Sequence, residues 1–201
     1  GSGLVTFGES TSAGVPESFA NETIVLPLND EDAVATTLEK LSHEIAAIII
    51  EPIPANNGSL LQSHKFLVHL RELCTKYNVL LIFDEVISGF RVGFEGAAGL
   101  YKIQPDIITF GKIIGGGMPV GAYGASHEIM SNISPLGNVY QAGTLSGNPV
   151  AMAAGAAQLN ECLQKDFYHD LQHKTDYLVD GIKKHIKEKN YEITIYNIGS
   201  I

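Results

Sequence analysis

Three mainly apolar runs most constrain how this chain can fold. They lie at residues 45–50, at residues 79–83 and immediately before Lys112. Apolar runs of this length without polar alternation are typical of strands buried on both faces of a sheet. Apolar residues at helical spacing over 64–77 and near 97–101 separate the runs. This alternation of strands and helices predicts an α/β fold with a mostly parallel sheet.

A polar residue follows each apolar run. The first run ends at Glu51, the second delivers Asp84, and the third leads to Lys112, which precedes three consecutive glycines at 115–117. Open α/β sheets bind ligands at the edge formed by the carboxyl ends of their strands. We therefore interpret Lys112 as a covalent catalytic lysine that forms a Schiff base. The alternative is a solvated lysine in a glycine-rich loop, since most lysines are exposed.

Asp84 is a candidate partner for a cationic ring. A buried carboxylate must be paired, because an unpaired buried charge is strongly destabilising. The pyridinium nitrogen of pyridoxal phosphate is one such partner, and a neighbouring carboxylate keeps that nitrogen protonated so that the ring can accept electrons. Considered alone, Asp84 fits a helix cap or a surface acid equally well. Its occurrence together with Lys112 favours the cofactor interpretation.

Composition narrows the choice of partners and location. Charged residues make up 17% and apolar residues 45% of the 201 residues, which is typical of a globular protein. The net charge of −9 argues against nucleic acid or an anionic membrane as the main partner. No apolar run is long enough to span a bilayer. Cys74 and Cys162 are expected to be free buried thiols in a reducing compartment, with the cytoplasm favoured and the plastid stroma left open. The seven histidines lack metal-ligand spacing, so no metal site is expected.

Two motifs resemble the class III aminotransferases. Residues 81–91 contain Asp84 and Val86, and residues 109–122 contain Lys112 with its glycines. The resemblance covers essentially the whole chain. It implies an incomplete large domain of the aspartate aminotransferase fold (fold type I), a three-layer αβα arrangement around the mostly parallel sheet. It also implies a small-molecule substrate, a homodimer, and pyridoxal 5′-phosphate as cofactor, with its pyridoxamine form in the cycle. Residues 1–190 would belong to the large domain, and residues 191–201 would begin a truncated C-terminal small domain.

The resemblance also implies roles for single residues. Lys112 would be the Schiff-base lysine and proton shuttle, Asp84 would pair with the pyridine nitrogen, and Val86 would pack on one face of the ring. Thr144 would contact the cofactor phosphate of the partner subunit in the dimer. Without the resemblance, Thr144 would be interpreted as a surface loop threonine.

Two further residues are placed near the substrate by the same resemblance. Tyr140 would lie at the active-site entrance, although an ordinary packed aromatic is an equally good interpretation. Ser2 corresponds to a substrate-contacting serine in the family's mobile gating loop. If Gly1 and Ser2 are instead the remnant of a tag, that assignment fails.

Asn56 departs from the pattern of many family members. Ornithine-type and ω-aminotransferases usually have a glutamate at this place, where it can engage an arginine that otherwise binds the second substrate. Asn56 is neutral and can only form hydrogen bonds, which we expect to be directed toward the phenolic side of the cofactor. This favours an aminomutase, which needs no second keto acid. An asparagine that caps a turn is the plain alternative.

Two other functional hypotheses stay open at this point. One is an ornithine- or ω-type transaminase with a separate amino donor, and the other is a non-catalytic α/β scaffold or dimerisation fragment. Neither end of the sequence resembles a domain boundary, so we expect a fragment of a longer protein. The family's phosphate-binding turn is expected to precede this chain, and the 201 residues alone are therefore expected to bind cofactor weakly and to be inactive.

Overall fold

One four-stranded sheet organises the computed structural model, which describes residues 14–201. Its strands are β1 (Ala47–Ile50), β2 (Leu80–Asp84), β3 (Ile107–Phe110) and β4 (Ala122–Ala125), hydrogen-bonded in that order. β1, β2 and β3 are parallel, and β4 joins β3 in the antiparallel sense. The predicted α/β class with a mostly parallel sheet is confirmed.

Seven α-helices lie within the described residues: α1 (Glu17–Ala20), α2 (Glu31–Leu41), α3 (His64–Tyr77), α4 (Gly96–Tyr101), α5 (His127–Met130), α6 (Pro149–Cys162) and α7 (Phe167–Lys189). Two 3-10 turns, Ala55–Asn57 and Lys112–Gly115, follow β1 and β3 respectively. None of the helices in residues 14–201 is both long enough and apolar enough to cross a membrane.

Side-chain caps fix where the two core helices begin. Asp30 accepts a hydrogen bond from the backbone N–H of Ala33 at 2.9 Å at the start of α2. Ser63 accepts one from Phe66 N at 3.0 Å at the start of α3. Such caps satisfy N–H groups that lack a partner inside the helix. Asn78, in the left-handed conformation, ends α3 and returns the chain to β2.

The hydrophobic core lies on one face of the sheet. The buried side of α3 and the inward residues of α2 pack against alternate residues of β1 and β2, in a cluster that includes Leu38, Leu67, Leu70, Leu81 and Phe83. On the opposite face Ile49 of β1 is 62% exposed, and its neighbour in register, Ile82, is only half-buried. The described residues therefore cover one face of the sheet much more completely than the other.

Two segments that resemble strands in the sequence do not form strands. Residues 23–27 have an apolar pattern, yet they run as irregular backbone, with Leu26 packed against the edge of the core. Residues 191–201 are irregular as well, and Ser200 near their end donates a hydrogen bond to the carbonyl of Arg91 at 3.2 Å. The predicted division between residues 1–190 and 191–201 stays a prediction.

Candidate functional site

The three parallel strands deliver charged residues to one edge of the sheet. Glu51 directly follows β1, Asp84 is the last residue of β2, and Lys112 stands two residues beyond β3. Ile50 is paired with Phe83, Glu51 and Asp84 directly follow these two residues, and Asp84 is itself paired with Thr109. The predicted position of Lys112, just past the carboxyl end of a strand, is confirmed, and this is the edge at which α/β sheets bind ligands.

Asp84 has one engaged and one available carboxylate oxygen. Oδ1 accepts hydrogen bonds from Val86 N at 3.0 Å and from Thr109 Oγ1 at 3.4 Å. No described residue donates to Oδ2. The two hydrogen bonds to Oδ1 fix the orientation of the carboxylate. Oδ2 can accept a hydrogen bond from the N–H group of a ligand.

Lys112 begins a short turn with a strained backbone. Its φ angle is 46°, in the left-handed region that side chains other than glycine seldom adopt. Residues held in that region are destabilised by on the order of 1–3 kcal/mol and depend on their surroundings to stay there. The Lys112 side chain is exposed, so its amine can reach a ligand at the sheet edge.

Helix α6 supplies the support for this turn. A β-carbon at Gly155 would lie closer than 3.0 Å to the carbonyl oxygen of Ile114, and one at Gly116 would lie 2.7 Å from the carbonyl carbon of Ala154. Both glycines therefore allow the backbones of the helix and the turn to approach directly. The alanine-rich helix α6 therefore packs closely against the turn that carries Lys112.

Val86 lies at the same strand edge as Asp84 and Lys112. Its backbone N–H holds Asp84, and its Cγ1 atom would be 3.2 Å from a β-carbon at Gly111, the residue before Lys112. A glycine at 111 thus makes room for the Val86 side chain beside the lysine. Val86 is half-buried, which leaves part of its apolar surface for a ligand.

Glu51 is a member of the site that the sequence analysis did not assign. Its Oε2 atom is buried and has no hydrogen-bond partner among the described residues. Burial raises the pKa of Glu51, the negative charge of Asp84 raises it further, and the positive charge of Lys112 lowers it. The charges of Asp84 and Lys112, the two residues identified from the sequence, therefore both affect the pKa of Glu51. Its position after a buried apolar run was the signal that could have found it.

Glu85 follows Asp84 but has a structural role. Its fully buried carboxylate accepts hydrogen bonds from Ser88 Oγ at 3.0 Å, from Ala97 N at 2.6 Å and from Ala98 N at 2.9 Å. The last two are free N–H groups in the first turn of α4, where a negative charge is also favoured by the helix dipole. Glu85 therefore connects the loop after β2 to α4, and its role is structural.

The remaining candidates occupy exposed positions or lie outside the described residues. Asn56 is exposed in the 3-10 turn that follows β1, at the same end of the sheet. Tyr140 is 82% exposed, and Thr144 is exposed in the same segment. Ser2 lies outside the described residues.

A large open cavity lies at the opposite edge of the sheet. It has a volume of about 1020 Å³ and lies beside the Arg71–Asp106 ion pair, whose Nη1–Oδ2 distance is 2.7 Å. Asp106 precedes β3 and also accepts from Leu81 N, so this pair anchors the beginnings of the strands. No group of three potential metal ligands occurs in the described part of the chain.

Comparison with known proteins gives a consistent family. The family model described as Aminotransferase class-III matches residues 4–201. A glutamate-1-semialdehyde 2,1-aminomutase of Cytophaga hutchinsonii is 52% identical, and one of Legionella pneumophila subsp. pneumophila is 50% identical. Each alignment covers 100% of this chain and 47% of the relative, so the chain spans about half the length of the curated relatives it matches.

Solved structures give the same fold. An ω-transaminase from Sphaerobacter thermophilus superposes with a TM-score of 0.89 at 34% identity, over 95% of this chain and 44% of that one. A glutamate-1-semialdehyde aminomutase from Pseudomonas aeruginosa PAO1, solved in complex with PMP, gives a TM-score of 0.79 at 28% identity, over 94% and 44% of the two chains.

Proposed function

This chain belongs to the class-III aminotransferase family, and from that premise we propose that the full-length protein is a glutamate-1-semialdehyde 2,1-aminomutase that uses pyridoxal 5′-phosphate. The observation that carries the proposal is the strand edge that presents Asp84 and Lys112 together in a chain about 50% identical, over its whole length, to proteins of that name. The reaction moves an amino group from C2 to C1 of glutamate-1-semialdehyde and the carbonyl function from C1 to C2, giving 5-aminolevulinate.

The residues at the strand edge fit this cofactor. Asp84 Oδ2 is available to accept the pyridinium N–H, while Oδ1 is held by Val86 N and Thr109. The exposed amine of Lys112 suits covalent attachment to the aldehyde. Val86 has apolar surface for one face of the ring, and Asn56 lies at the same end of the sheet, where its amide could meet the phenolic side.

The division of labour between cofactor and protein follows from this arrangement. When bound, the cofactor in its pyridoxal and pyridoxamine forms supplies the amine carrier and an electron sink for a carbanion. Asp84 would keep the ring nitrogen protonated and would orient the ring. Lys112 would hold the aldehyde and, as a positioned base and acid, would move a proton between cofactor and substrate carbons, an effect of roughly 10²- to 10⁴-fold.

The proposal extends to the assembly and setting of the full-length protein. We propose a homodimer in which Thr144 reaches the partner's cofactor phosphate and Tyr140 lies near the entrance. The exposed positions of both side chains leave them available for such contacts. We also propose that Ser2 contacts substrate. The product, 5-aminolevulinate, assigns the enzyme to porphyrin biosynthesis, and the buried free thiols of Cys74 and Cys162 suit the cytoplasm.

A second candidate is an ω-type transaminase with a separate amino donor. The observation in its favour is the higher TM-score of the Sphaerobacter thermophilus ω-transaminase, 0.89 against 0.79 for the Pseudomonas aeruginosa aminomutase. Fold similarity does not distinguish two activities of one family, whereas identity of about 50% along the whole chain weighs toward the aminomutase.

One assay separates the two candidates. The full-length protein is incubated with glutamate-1-semialdehyde as the only substrate, and 5-aminolevulinate is measured. We expect sustained turnover without a keto acid, and loss of turnover in Lys112→Ala. Turnover that requires an added keto acid and consumes an amino donor in equal amount would contradict the aminomutase and support the transaminase.

A further inference from the structure

Glu51 is placed beside Asp84 by the sheet itself. The last register pair of β1 and β2 joins Ile50 to Phe83, Glu51 and Asp84 are the residues that directly follow these two, and Asp84 is paired with Thr109 of β3. Residues in register point to the same face, with neighbouring strands about 4.8 Å apart. Ile50 and Phe83 face the hydrophobic core. Glu51, Asp84 and Thr109 therefore form a polar row on the opposite face, at the carboxyl edge.

The surroundings of Glu51 disfavour a second negative charge there. Its Oε2 atom is buried and has no donor among the described residues, although the residue as a whole is only partly buried. An ionised carboxylate is destabilised when one of its oxygens loses water without gaining a donor. Asp84, by contrast, accepts two hydrogen bonds at Oδ1. The two carboxyl groups have very different hydrogen-bond partners. The pair is therefore favoured with a single negative charge, located on the group that is better solvated or better hydrogen-bonded.

Among the described residues, two charged groups act on the protonation of Glu51. Asp84 at the end of β2 disfavours ionisation of Glu51, and Lys112 beyond β3 favours it. The loop after Glu51, residues 52–56, contains no titratable side chain, and Thr109 on β3 is neutral. Burial of Glu51 and the negative charge of Asp84 are the two larger effects, and both favour the protonated form of Glu51.

We propose that Glu51 is a positioning residue for the cofactor site: it carries the proton of a Glu51–Asp84 pair, so that a single negative charge, on Asp84, faces the pyridine nitrogen. This deepens the proposed function and rests on it for the identity of the ligand. Glu51 acts through Asp84 rather than by touching the reacting atoms. Its neutral form keeps the charge of the pair matched to that of one pyridinium ion.

The first test uses the cofactor-free full-length protein, so that it does not depend on cofactor binding. Infrared spectra are recorded as the pH is raised. We expect the band of one protonated carboxyl group to persist above the pH at which ordinary carboxyl groups ionise, to vanish in Glu51→Gln, and to titrate at lower pH in Asp84→Asn. The matched control is Glu44→Gln, an exposed acid before the other end of β1, which should keep the band. Absence of the band in a folded wild-type protein would overturn the proposal.

The second test distinguishes a neutral from a charged role. Glutamine imitates the protonated glutamate side chain. The dissociation constant of Glu51→Gln for pyridoxal phosphate at pH 7 should therefore stay within about twofold of the wild-type value. The pH dependence of affinity that comes from ionisation of Glu51 should be absent from this variant. A loss of affinity of about tenfold or more would mean that the ionised form is required, and would overturn the proposal. If the wild type binds no pyridoxal phosphate, the proposed function fails, and the infrared result still decides the protonation of the pair.

Discussion

Because Gly155 packs directly against the turn that carries Lys112, we expect Gly155→Ala to disturb both stability and activity. The added β-carbon would lie below 3.0 Å from Ile114 O, whereas ordinary contacts begin at 3.4 Å. The helix and the turn must therefore separate by more than about 0.4 Å, and overpacking of this kind typically costs about 1–3 kcal/mol. Because α6 faces the turn that holds Lys112, the displacement reaches the amine. Displacements of about 1 Å can reduce turnover by about 10²-fold.

The assay compares full-length Gly155→Ala with Gly121→Ala. Gly121 lies between the Lys112 turn and β4, it does not have a left-handed φ, and a β-carbon there meets nothing within 4 Å. We expect Gly155→Ala to lower the thermal midpoint, to weaken pyridoxal phosphate binding and to reduce kcat, while Gly121→Ala stays near the wild type in all three. Equal behaviour of the two variants would refute the view that α6 positions Lys112.

Three further predictions concern the scaffold. Glu85→Gln should lower the free energy of unfolding by about 1–3 kcal/mol, because an amide cannot accept all three hydrogen bonds of the buried carboxylate. Denaturant unfolding measures this change, and Glu95→Gln, at an exposed position, is the control. Gly181→Ala, in an exposed and uncrowded position of α7, should raise the thermal midpoint, since alanine is favoured over glycine in helices by about 1 kcal/mol; an unchanged or lower midpoint would contradict the exposure of this position. Burial raises the pKa of Cys74 from 9.0 to about 11, so the unfolded state ionises first as the pH rises. The free energy of unfolding should therefore fall from pH 9 to pH 11, by about 2–3 kcal/mol at most, and a Cys74→Ala variant should show a shallower fall.

The apolar runs were sufficient to predict the parallel strands. Residues 45–50 and 79–83 became β1 and β2 because a buried strand must be apolar on both faces, and a helical pattern over 64–77 became α3 within the same bounds. The same rule failed for residues 23–27. That stretch is short and ends in a proline, which cannot donate a hydrogen bond to a neighbouring strand, and it packs Leu26 against the core without joining the sheet.

The site was only partly predictable for a related reason. Asp84 and Lys112 follow strand ends, and the fold type alone brings such positions together. The different roles of Glu51 and Glu85 depend on the hydrogen-bond donors around each carboxylate. Glu51 Oε2 has no donor among the described residues, whereas the Glu85 carboxylate accepts from two N–H groups of α4. The strained φ of Lys112 depends likewise on the close approach of α6, a contact distant in sequence.

The central claim is that Lys112 binds the cofactor at this strand edge, opposite Asp84. The most direct measurement is borohydride reduction of the full-length protein with pyridoxal phosphate, followed by peptide mapping of the modified lysine. The proposal predicts a single stable pyridoxyl adduct on Lys112, absent in Lys112→Ala and reduced in Asp84→Asn. An adduct on another lysine, or none in a folded protein saturated with pyridoxal phosphate, would contradict it.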